Sequence, residues 1–402
     1  MTEKKLNILV IFNSLMGVIG GGSRHIVYVA DYWCASNKVH FLISKSGYKV
    51  AEEHIQKNPN PNKEIILYTT PFDDSKNMYL VYLFRIIKSI LEIRKLKEKY
   101  DVVIAPNYLP QNMIPSLFLK RDAKLVVHFR NTPPSLRKEY LERMNFLRRV
   151  ISIMNWKFCV FLAKSFDLIF VVNRATREYF IEKGFAPEKV VVVNNGIPYK
   201  EIEDVEVENK EYEGVFLGRL VWNKGIYDLV DIWKFVVERR PSTKLCIIGD
   251  GSEREKLEKK IKEEGLEGNI TLVGGAEGER KYGLMKKSKL FIYPSYYESW
   301  CVVIAEAMAC GLPVIAYDLP IYAEIHNNYV FTVKIGDVEE IAKKVIDFLE
   351  REQDYREIIQ KASIFVSKYN WEEVAKHQLL CIKKSLYGYR KEPAKSLQRI
   401  VR

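Results

Sequence analysis

Short, continuous apolar runs alternate with stretches of helical spacing along most of this chain. In the first half the runs fall at residues 6–12, 38–44, 101–107, 124–133, 167–173 and 189–197. Continuous apolar runs bounded by turn residues are typical of strands buried on both faces of a parallel sheet. With the helices between them, they predict an α/β fold.

The same alternation restarts after an acidic segment at residues 201–213, with strand, turn and helix patterns at 214–225 and 244–261. A helix with a basic outer face is predicted at residues 79–98, and others at 338–352, 353–367 and 369–389. The predicted organisation is a first domain (1–197), a linker (198–213), a second domain (214–367) and a C-terminal helix with a basic tail (368–402).

The most informative stretch is residues 289–318, KLFIYPSYYESWCVVIAEAMACGLPVIAYD. The run LFIY predicts a strand that ends at Pro294, and the apolar residues from Val302 predict a helix that ends at Gly311. VIAY predicts the next strand. The loop before the helix then lies at the carboxyl end of a parallel strand, where α/β sheets bind ligands.

Two carboxylates in this stretch have a spacing that suits a ligand. Glu298 precedes the predicted helix, beside its positive end, where free backbone N–H groups can hold an anion. Glu306 lies about two turns further along and can accept from a pair of hydroxyls. An anion with a polyol on either side is the layout of a nucleotide sugar. The alternative is that Glu298 only favours the helix start and Glu306 is an exposed helix position.

Two cations in residues 214–225, GVFLGRLVWNKG, suggest how a diphosphate could be held. Arg219 and Lys224 are spaced to converge at the predicted turn, where they could neutralise a leaving diphosphate without a metal ion. No D-x-D motif occurs among the acidic residues. We therefore expect no Mg²⁺ or Mn²⁺ site, no metal in the reaction and no cofactor.

Residues 298–316 resemble the E-x7-E signature of the GT-B glycosyltransferases of the large retaining family 4, the group 1 type. The usual form there is close to E-G-F-G-L-x-x-x-E-A-M-A-C-G-x-P-V-I-A. The match comprises Glu298, residues 306–311 and residues 313–316. The departures are Ser299 and Cys301, where the family commonly has glycines, and Trp300, where it usually has Phe.

This resemblance implies two Rossmann-like domains facing each other across a donor-binding cleft, with the final helix crossing back to the first domain. It implies that Arg219 and Lys224 clamp the diphosphate, that Glu306 binds the ribose hydroxyls and that Glu298 binds the sugar hydroxyls. The same motifs imply further residues that bind the nucleotide-sugar donor. These are Ser299, Trp300, Cys301 and Val302, through their backbone at the start of the helix, and Gly218, Gly249 and Gly251, in glycine turns.

The first domain offers candidates in two loops. Gly21 and Gly22 permit close backbone approach to a ligand at the next helix's N-terminus, and they resemble the family's G-G-x-x-R-type loop. His128 ends a predicted strand; such a histidine is usually structural, but the family often uses one here to reach the donor sugar. Arg130 and Asn131 are candidates for the acceptor side.

Charge is distributed unevenly along the chain. Residues 1–200 contain 31 Lys and Arg against 17 Asp and Glu, a balance of +14, and the remainder has 32 against 34, or −2. A basic first half suggests an anionic partner, either a membrane surface or a phosphorylated acceptor, and no nucleic-acid motif is found. Residues 146–167 combine apolar, aromatic and basic residues. They fit a helix crossing the domain core, with Lys157 and Lys164 reaching the solvent, or an interfacial membrane contact assisted by Arg143, Arg148 and Arg149.

Other features place the chain among soluble cytoplasmic proteins that could bind the inner membrane face. Six cysteines show no C-x-x-C pair or metal spacing, which indicates reduced thiols. No apolar run approaches transmembrane length, and residues 6–12 are too short for a signal peptide.

The reaction predicted is transfer of a sugar from a nucleotide diphosphate sugar to an acceptor hydroxyl, with anomeric retention, in glycan, glycolipid or polysaccharide assembly. Inversion needs a side-chain base, for which His128 is the only candidate in the first-domain loops. The rival functions are a phosphorylase or an epimerase on the same fold and a non-catalytic nucleotide-sugar-binding subunit. The base, the sugar and the acceptor are not specified by the sequence.

Overall fold

A computed structural model describes residues 5–13, 21–45, 59–70, 78–136, 141–142 and 145–388, together with Tyr48 and Glu52. The chain forms two compact units. The first unit comprises Met1–Asn195 and Trp371–Arg402, and the second comprises Gly196–Asn370. Each unit has its own parallel sheet covered by helices.

The first unit contains a seven-stranded sheet in the order β3-β2-β1-β4-β5-β6-β7. All six neighbouring pairs are parallel. The six strands predicted in the first half of the chain are confirmed. The edge strand β3 was not predicted, because only one of its residues is fully buried and its sequence mixes charged with apolar residues. The strands are Asn7–Phe12 (β1), Lys38–Ser44 (β2), Lys63–Tyr68 (β3), Val102–Ala105 (β4), Lys124–Phe129 (β5), Leu168–Val171 (β6) and Val190–Val192 (β7).

Helices cover both faces of this sheet, which explains why its inner strands are mostly apolar. Alternate strand residues belong to different core clusters: Ile8 and Val10 pack in one with Trp33, and Leu9 and Ile11 pack in the other with Trp156. Such two-sided burial is the arrangement expected of parallel strands. The helices are Gly21–Trp33 (α1), Met78–Ile93 (α2), Pro110–Leu117 (α3), Phe146–Ala163 (α4) and Arg174–Glu182 (α5).

The second unit contains a six-stranded parallel sheet in the order β10-β9-β8-β11-β12-β13. Its strands are Tyr212–Leu217 (β8), Leu245–Ile248 (β9), Ile270–Gly274 (β10), Ser288–Tyr293 (β11), Val314–Tyr317 (β12) and Val330–Val333 (β13). Its helices are Tyr199–Glu203 (α6), Ile226–Arg239 (α7), Arg254–Glu263 (α8), Gly278–Lys286 (α9), Val302–Ala309 (α10), Pro320–His326 (α11), Val338–Glu350 (α12) and Arg356–Val366 (α13). The acidic segment at residues 201–213 lies in this unit and includes the end of α6 and the start of β8.

The last helix, Trp371–Tyr387 (α14), belongs to the first unit. It is fastened to α1 by aromatic side chains. The Trp33 indole N–H donates to the Ala375 carbonyl at 2.9 Å, and the ring of Trp371 stacks on Tyr28 with centroids 4.9 Å apart.

The predicted basic outer face of α2 is wrong. Its solvent side is an apolar stripe of Leu80, Leu83, Ile87 and Leu91, whereas Arg85 is fully buried. These four residues recur every three or four positions and so lie on one helix face.

Within the described ranges, none of the helices is both long enough and apolar enough to cross a bilayer. All six cysteines are free, as predicted.

Candidate active site

The strand–loop–helix–strand unit predicted at residues 289–318 is confirmed as β11, α10 and β12. Gly311 adopts the left-handed conformation, with φ of +72°, just after α10 ends. Its N–H donates to the Met308 carbonyl and that of Leu312 to Ala307, which closes the helix as glycine C-caps do. Cys301, immediately before α10, also has a positive φ, of +68°. The helix therefore begins abruptly. The Ile304 N–H donates to the Cys301 carbonyl at 3.3 Å, and the N–H groups of Val302 and Val303 are left for a ligand.

Glu298 lies in the loop before α10 as a nearly buried carboxylate. Its Oε1 accepts from Lys224 Nζ and, at 2.8 Å, from the Tyr293 hydroxyl, while the Ser295 hydroxyl lies 3.0 Å away. Burial and the charge of Glu298 raise the pKa of Tyr293, so that this hydroxyl remains a donor. The fold thus brings Lys224 and Glu298 together from segments 74 residues apart.

Arg219 and Lys224 both lie between β8 and α7, as predicted, but their surroundings differ. The Arg219 side chain is exposed and makes no hydrogen bond or ion pair with another described residue. Lys224 is mostly buried against Glu298. The exposed guanidinium of Arg219 and the mostly buried ammonium of Lys224 can bind a polyanion with little rearrangement of the loop.

Close packing of loops explains the glycines near this turn. A Cβ on Gly225, whose φ is +67°, would lie 1.8 Å from the Pro294 carbonyl oxygen, and one on Gly249 would lie 1.8 Å from that of Gly218. A Cβ on Gly251 would lie 2.4 Å from the Leu220 carbonyl oxygen. The loops after β8, β9 and β11 are therefore held against each other at the carboxyl end of the sheet, and only glycine fits where they touch.

Glu306 is buried, only 6% exposed, so it is not the exposed helix position that the alternative required. Its Oε1 accepts from Lys281 Nζ at 2.8 Å and from the Tyr282 hydroxyl at 3.0 Å. Both partners come from α9, and sequence reasoning missed them because nothing local links α9 to α10. Burial, followed by the charge of Glu306, raises the pKa of Tyr282 and keeps its hydroxyl a donor.

The departures from the family signature have separate structural roles. The Trp300 ring is 1% exposed and packs edge-on against His326 and Tyr369, with centroids 5.7 and 5.0 Å away. The Trp300 carbonyl lies 3.2 Å from His326 Nε2. Cys301 is buried, and burial raises the pKa of its thiol well above the ordinary value. Ser299 and Val302 flank these two residues at the start of α10.

In the first unit, His128 and Arg130 come together at the carboxyl end of β5. An Arg130 guanidinium N–H donates to His128 Nδ1 at 2.9 Å, and another donates to the Asn195 side-chain oxygen. Burial, then the charge of Arg130, holds the pKa of His128 well below its usual range. Since guanidinium can only donate, the neutral imidazole must carry its proton on Nε2. Asn131 is directed elsewhere, to the Tyr108 hydroxyl at 3.1 Å.

A further histidine near this group was not predicted. His25, in α1, is fully buried, with its ring 6.1 Å from that of His128, and its Nε2 lies 2.7 Å from the Gln378 side-chain nitrogen of α14. Gly21 and Gly22 were predicted in the loop before a helix, and they are instead the first two residues of α1. Gly20 and Arg143 lie outside the described residues.

Comparisons with known proteins identify the family to which this chain is similar. The model of glycosyl transferases group 1 matches residues 199–365, and that of glycosyltransferase family 4 matches residues 19–201. An uncharacterized glycosyltransferase of Methanocaldococcus jannaschii is 27% identical over 311 residues, 72% of each chain. A GDP-mannose:cellobiosyl-diphosphopolyprenol alpha-mannosyltransferase of Xanthomonas oryzae is 25% identical over 195 residues, which is 47% of this chain and 51% of that protein.

Solved structures show the same fold. Anabaena HepE in complex with UDP and glucose superposes with a TM-score of 0.70 at 20% identity, covering 94% of this chain and 99% of that one. Sucrose-phosphate synthase from Thermosynechococcus elongatus gives 0.71 at 17% identity, covering 94% and 98%. With two Rossmann-like units and family models spanning both of them, the chain belongs to the GT-B glycosyltransferases of the group 1 type.

Proposed function

We propose that this glycosyltransferase moves a sugar from a nucleotide diphosphate sugar to an acceptor hydroxyl with retention of the anomeric configuration. The observation that carries the proposal is the pair of buried carboxylates on either side of the α10 N-terminus, Glu298 and Glu306, each held by a lysine and a tyrosine. Each uses Oε1 for these contacts, which leaves Oε2 to accept from a ligand hydroxyl. In the proposed complex, Glu306 binds the ribose and Glu298 the donor sugar.

The diphosphate is assigned to Arg219, Lys224 and the N–H groups of Val302 and Val303 at the start of α10. Lys224 then changes partner, from Glu298 alone to Glu298 and a phosphate oxygen. This supports a transfer without divalent metal, because two cations and a helix N-terminus stabilise the departing charge. The solved relative HepE was crystallised with UDP and glucose, and the Xanthomonas relative is named for GDP-mannose, which makes a nucleotide diphosphate sugar the natural donor class.

The tautomer of His128 supports retention. With its proton on Nε2, the imidazole donates a hydrogen bond and cannot accept the acceptor's proton there. His128, the only candidate base for an inverting reaction in the sequence analysis, therefore cannot accept the proton of the acceptor hydroxyl at Nε2. In the retaining reaction the acceptor attacks from the side of the leaving group, and the departing diphosphate oxygen takes the proton.

Several measurements test this proposal. A thermal-shift panel of UDP-, GDP-, ADP- and TDP-sugars identifies the donor, since a bound ligand raises the unfolding midpoint. With that donor, NMR of the product should show an α linkage from an α-linked sugar, and His128→Ala should slow turnover without abolishing it. A β product would overturn retention and make His128 the base. Conversion of the donor without an acceptor would indicate an epimerase, release of sugar phosphate from glycan and phosphate a phosphorylase, and binding without turnover a partner subunit.

We further propose that the acceptor is held at an anionic membrane surface, because α4 has an exposed apolar face. Four of its residues are between 65% and 73% exposed: Phe146, Leu147, Met154 and Phe161. The opposite face packs into the core through Trp156, Cys159 and Ala163. One face of α4 thus packs in the core, and its solvent-exposed face is also apolar. Basic side chains flank this exposed apolar stripe.

A groove beside α4 strengthens this assignment. It has a volume of about 850 Å³ and runs between α4 and α5, with Trp156, Val160 and Tyr179 among its walls. The groove is also lined by more basic than acidic residues. The four basic ones are Arg149, Lys157, Lys164 and Lys183, and the two acidic ones are Glu142 and Glu182. An apolar wall with a basic rim suits a phosphorylated lipid. Flotation with anionic vesicles should recover the protein at low salt and less of it at high salt, and neutral vesicles should recover little. Failure to bind either kind would remove the membrane from the proposal.

A further inference from the structure

Three residues at the edge of the first unit's sheet direct their ligand atoms toward one point. His40 lies in β2, Glu64 is opposite it in β3, and Glu98 follows α2. Their ligand atoms all lie within 4.8 Å of one another. The histidine is only 2% exposed, whereas the Glu64 and Glu98 side chains are 57% and 41% exposed. The cluster thus has a buried nitrogen at its base and two carboxylates at its mouth.

The distances within this cluster do not fit hydrogen bonds. His40 Nε2 is 3.4 Å from Glu64 Oε2 and 3.5 Å from Glu98 Oε2, beyond the 2.7–3.2 Å of an ordinary N–H···O bond. Among the described residues this buried nitrogen has no hydrogen-bond partner. A tetrahedral zinc ion with bonds of about 2.0–2.1 Å places neighbouring ligand atoms roughly 3.3 Å apart. The spacing therefore matches two edges of a zinc tetrahedron.

Two neighbouring groups orient the side chains of His40 and Glu98 for a metal ion. The Tyr100 hydroxyl lies 3.0 Å from His40 Nδ1, which orients the ring as groups behind a metal-bound histidine usually do. Lys38 Nζ lies 2.6 Å from Glu98 Oε1 and leaves Oε2 facing the histidine.

We propose that His40, Glu64 and Glu98 bind one divalent transition-metal cation, with Zn²⁺ as the best match to one imidazole and two carboxylates, and with water in the open position. The site is separate from the transfer reaction. His40 is the third residue of β2, near its amino end, whereas His128 is near the carboxyl end of β5. The cation would fasten the edge strand β3 and the segment after α2 to β2, and so stabilise the edge of the sheet.

The test is a zinc titration of the chelator-treated, untagged full-length chain against a chromophoric competitor. The wild type should bind one tight equivalent of ZnCl₂. Glu64→Gln and Glu98→Gln keep the shape of two exposed side chains and remove their charge, so they should fold normally and bind zinc at least about tenfold more weakly, as a lost ligand requires. Glu64→His supplies another zinc ligand and should bind at least about tenfold more tightly than Glu64→Gln. Glu188→Gln, at an exposed position of the same unit, is the matched control and should bind as the wild type does.

Thermal unfolding gives an independent readout. ZnCl₂ should raise the midpoint of the wild type and of Glu188→Gln, because a ligand that binds only the folded chain stabilises it. The rise should be smaller in Glu64→Gln and Glu98→Gln at the same zinc concentration, and MgCl₂ should have little effect on any of the four proteins, since Mg²⁺ prefers oxygen ligands. Equal zinc affinity in the wild type and both Gln variants, or no zinc binding by the wild type, would overturn the proposal.

Discussion

The two units have the same kind of parallel sheet but different surfaces. In the first, the outer sides of α2 and α4 are apolar and the sequence is basic. In the second, the large apolar side chains exposed among the described residues are only Ile335 and Ile364. Its charged residues instead include two lysines directed inward to buried carboxylates. The same sheet architecture thus occurs in two different settings. The first unit has exposed apolar helix faces suited to an interface, and the second has buried charged side chains suited to a charged ligand.

The largest effect should come from removing the cations of the second unit. Lys224→Ala or Arg219→Ala should reduce turnover by roughly a hundredfold or more, the scale for losing one preorganised stabiliser of developing charge. Initial rates with the identified donor, measured with and without chelator, check this. Lys234→Ala, which removes a surface lysine paired with Glu264, is the control and should leave turnover unchanged. Near-normal rates in both active-site variants, or a requirement for added metal, would contradict the assigned role.

A second prediction concerns the inward-facing pair of Lys281 and Glu306. Lys281→Met leaves a buried carboxylate with only the Tyr282 hydroxyl, and it should lower the free energy of unfolding by roughly 3 kcal/mol. Combining it with Glu306→Gln should recover part of this loss, since no uncompensated charge is left. Urea unfolding measures both changes. An additive double variant, as destabilised as the sum of the single ones, would show that the pair is not coupled.

The apolar face of α4 offers the most direct test of the difference between the units. Met154→Glu and Phe161→Glu should each weaken binding to anionic vesicles by about tenfold or more, because each removes an apolar side chain from the interface and adds a repelled charge. Ile364→Glu makes the same kind of change at an exposed site of the second unit and should have no effect. If Ile364→Glu lost binding to the same extent, the attachment would not belong to the first unit.

The last prediction is a difference in acid sensitivity between the two units. Burial lowers the pKa of His25 and His128 in the first unit, and it lowers that of His326 in the second to about 3. A folded-state pKa below the unfolded value of about 6.5 means that the unfolded chain binds more protons, so stability falls as pH drops below 6.5, by up to roughly 1.4 kcal/mol per pH unit for each histidine. His40 and His377 are shifted in the same direction and add to the first unit. Protection factors, which are amide hydrogen-exchange rates corrected for the intrinsic rate at each pH, should therefore fall more in the first unit than in the second between pH 6.5 and 5. Equal falls would contradict this.

Local patterns were sufficient for most of the framework. The apolar runs predicted six of the seven strands of the first sheet, and the β11–α10–β12 unit was predicted together with its Gly311 terminus. These patterns are readable because burial on both faces imposes apolar character on a strand regardless of its neighbours. The edge strand β3 was missed because one-sided exposure removes that signal. The outer face of α2 was predicted wrongly because the helix turns Arg85 inward and its leucines outward, which helical periodicity alone does not reveal.

The fold class, the family and the candidate pair Glu298 and Glu306 could be read from short segments of the chain, because each depends on residues close together in sequence. The surroundings of these two carboxylates depend on how distant segments pack. Lys281 reaches Glu306 from α9, His25 approaches His128 from α1, and Glu64 meets His40 across two strands. The pKa of a group and its free lone pairs depend on such neighbours, which are distant in sequence and adjacent only after the sheets assemble.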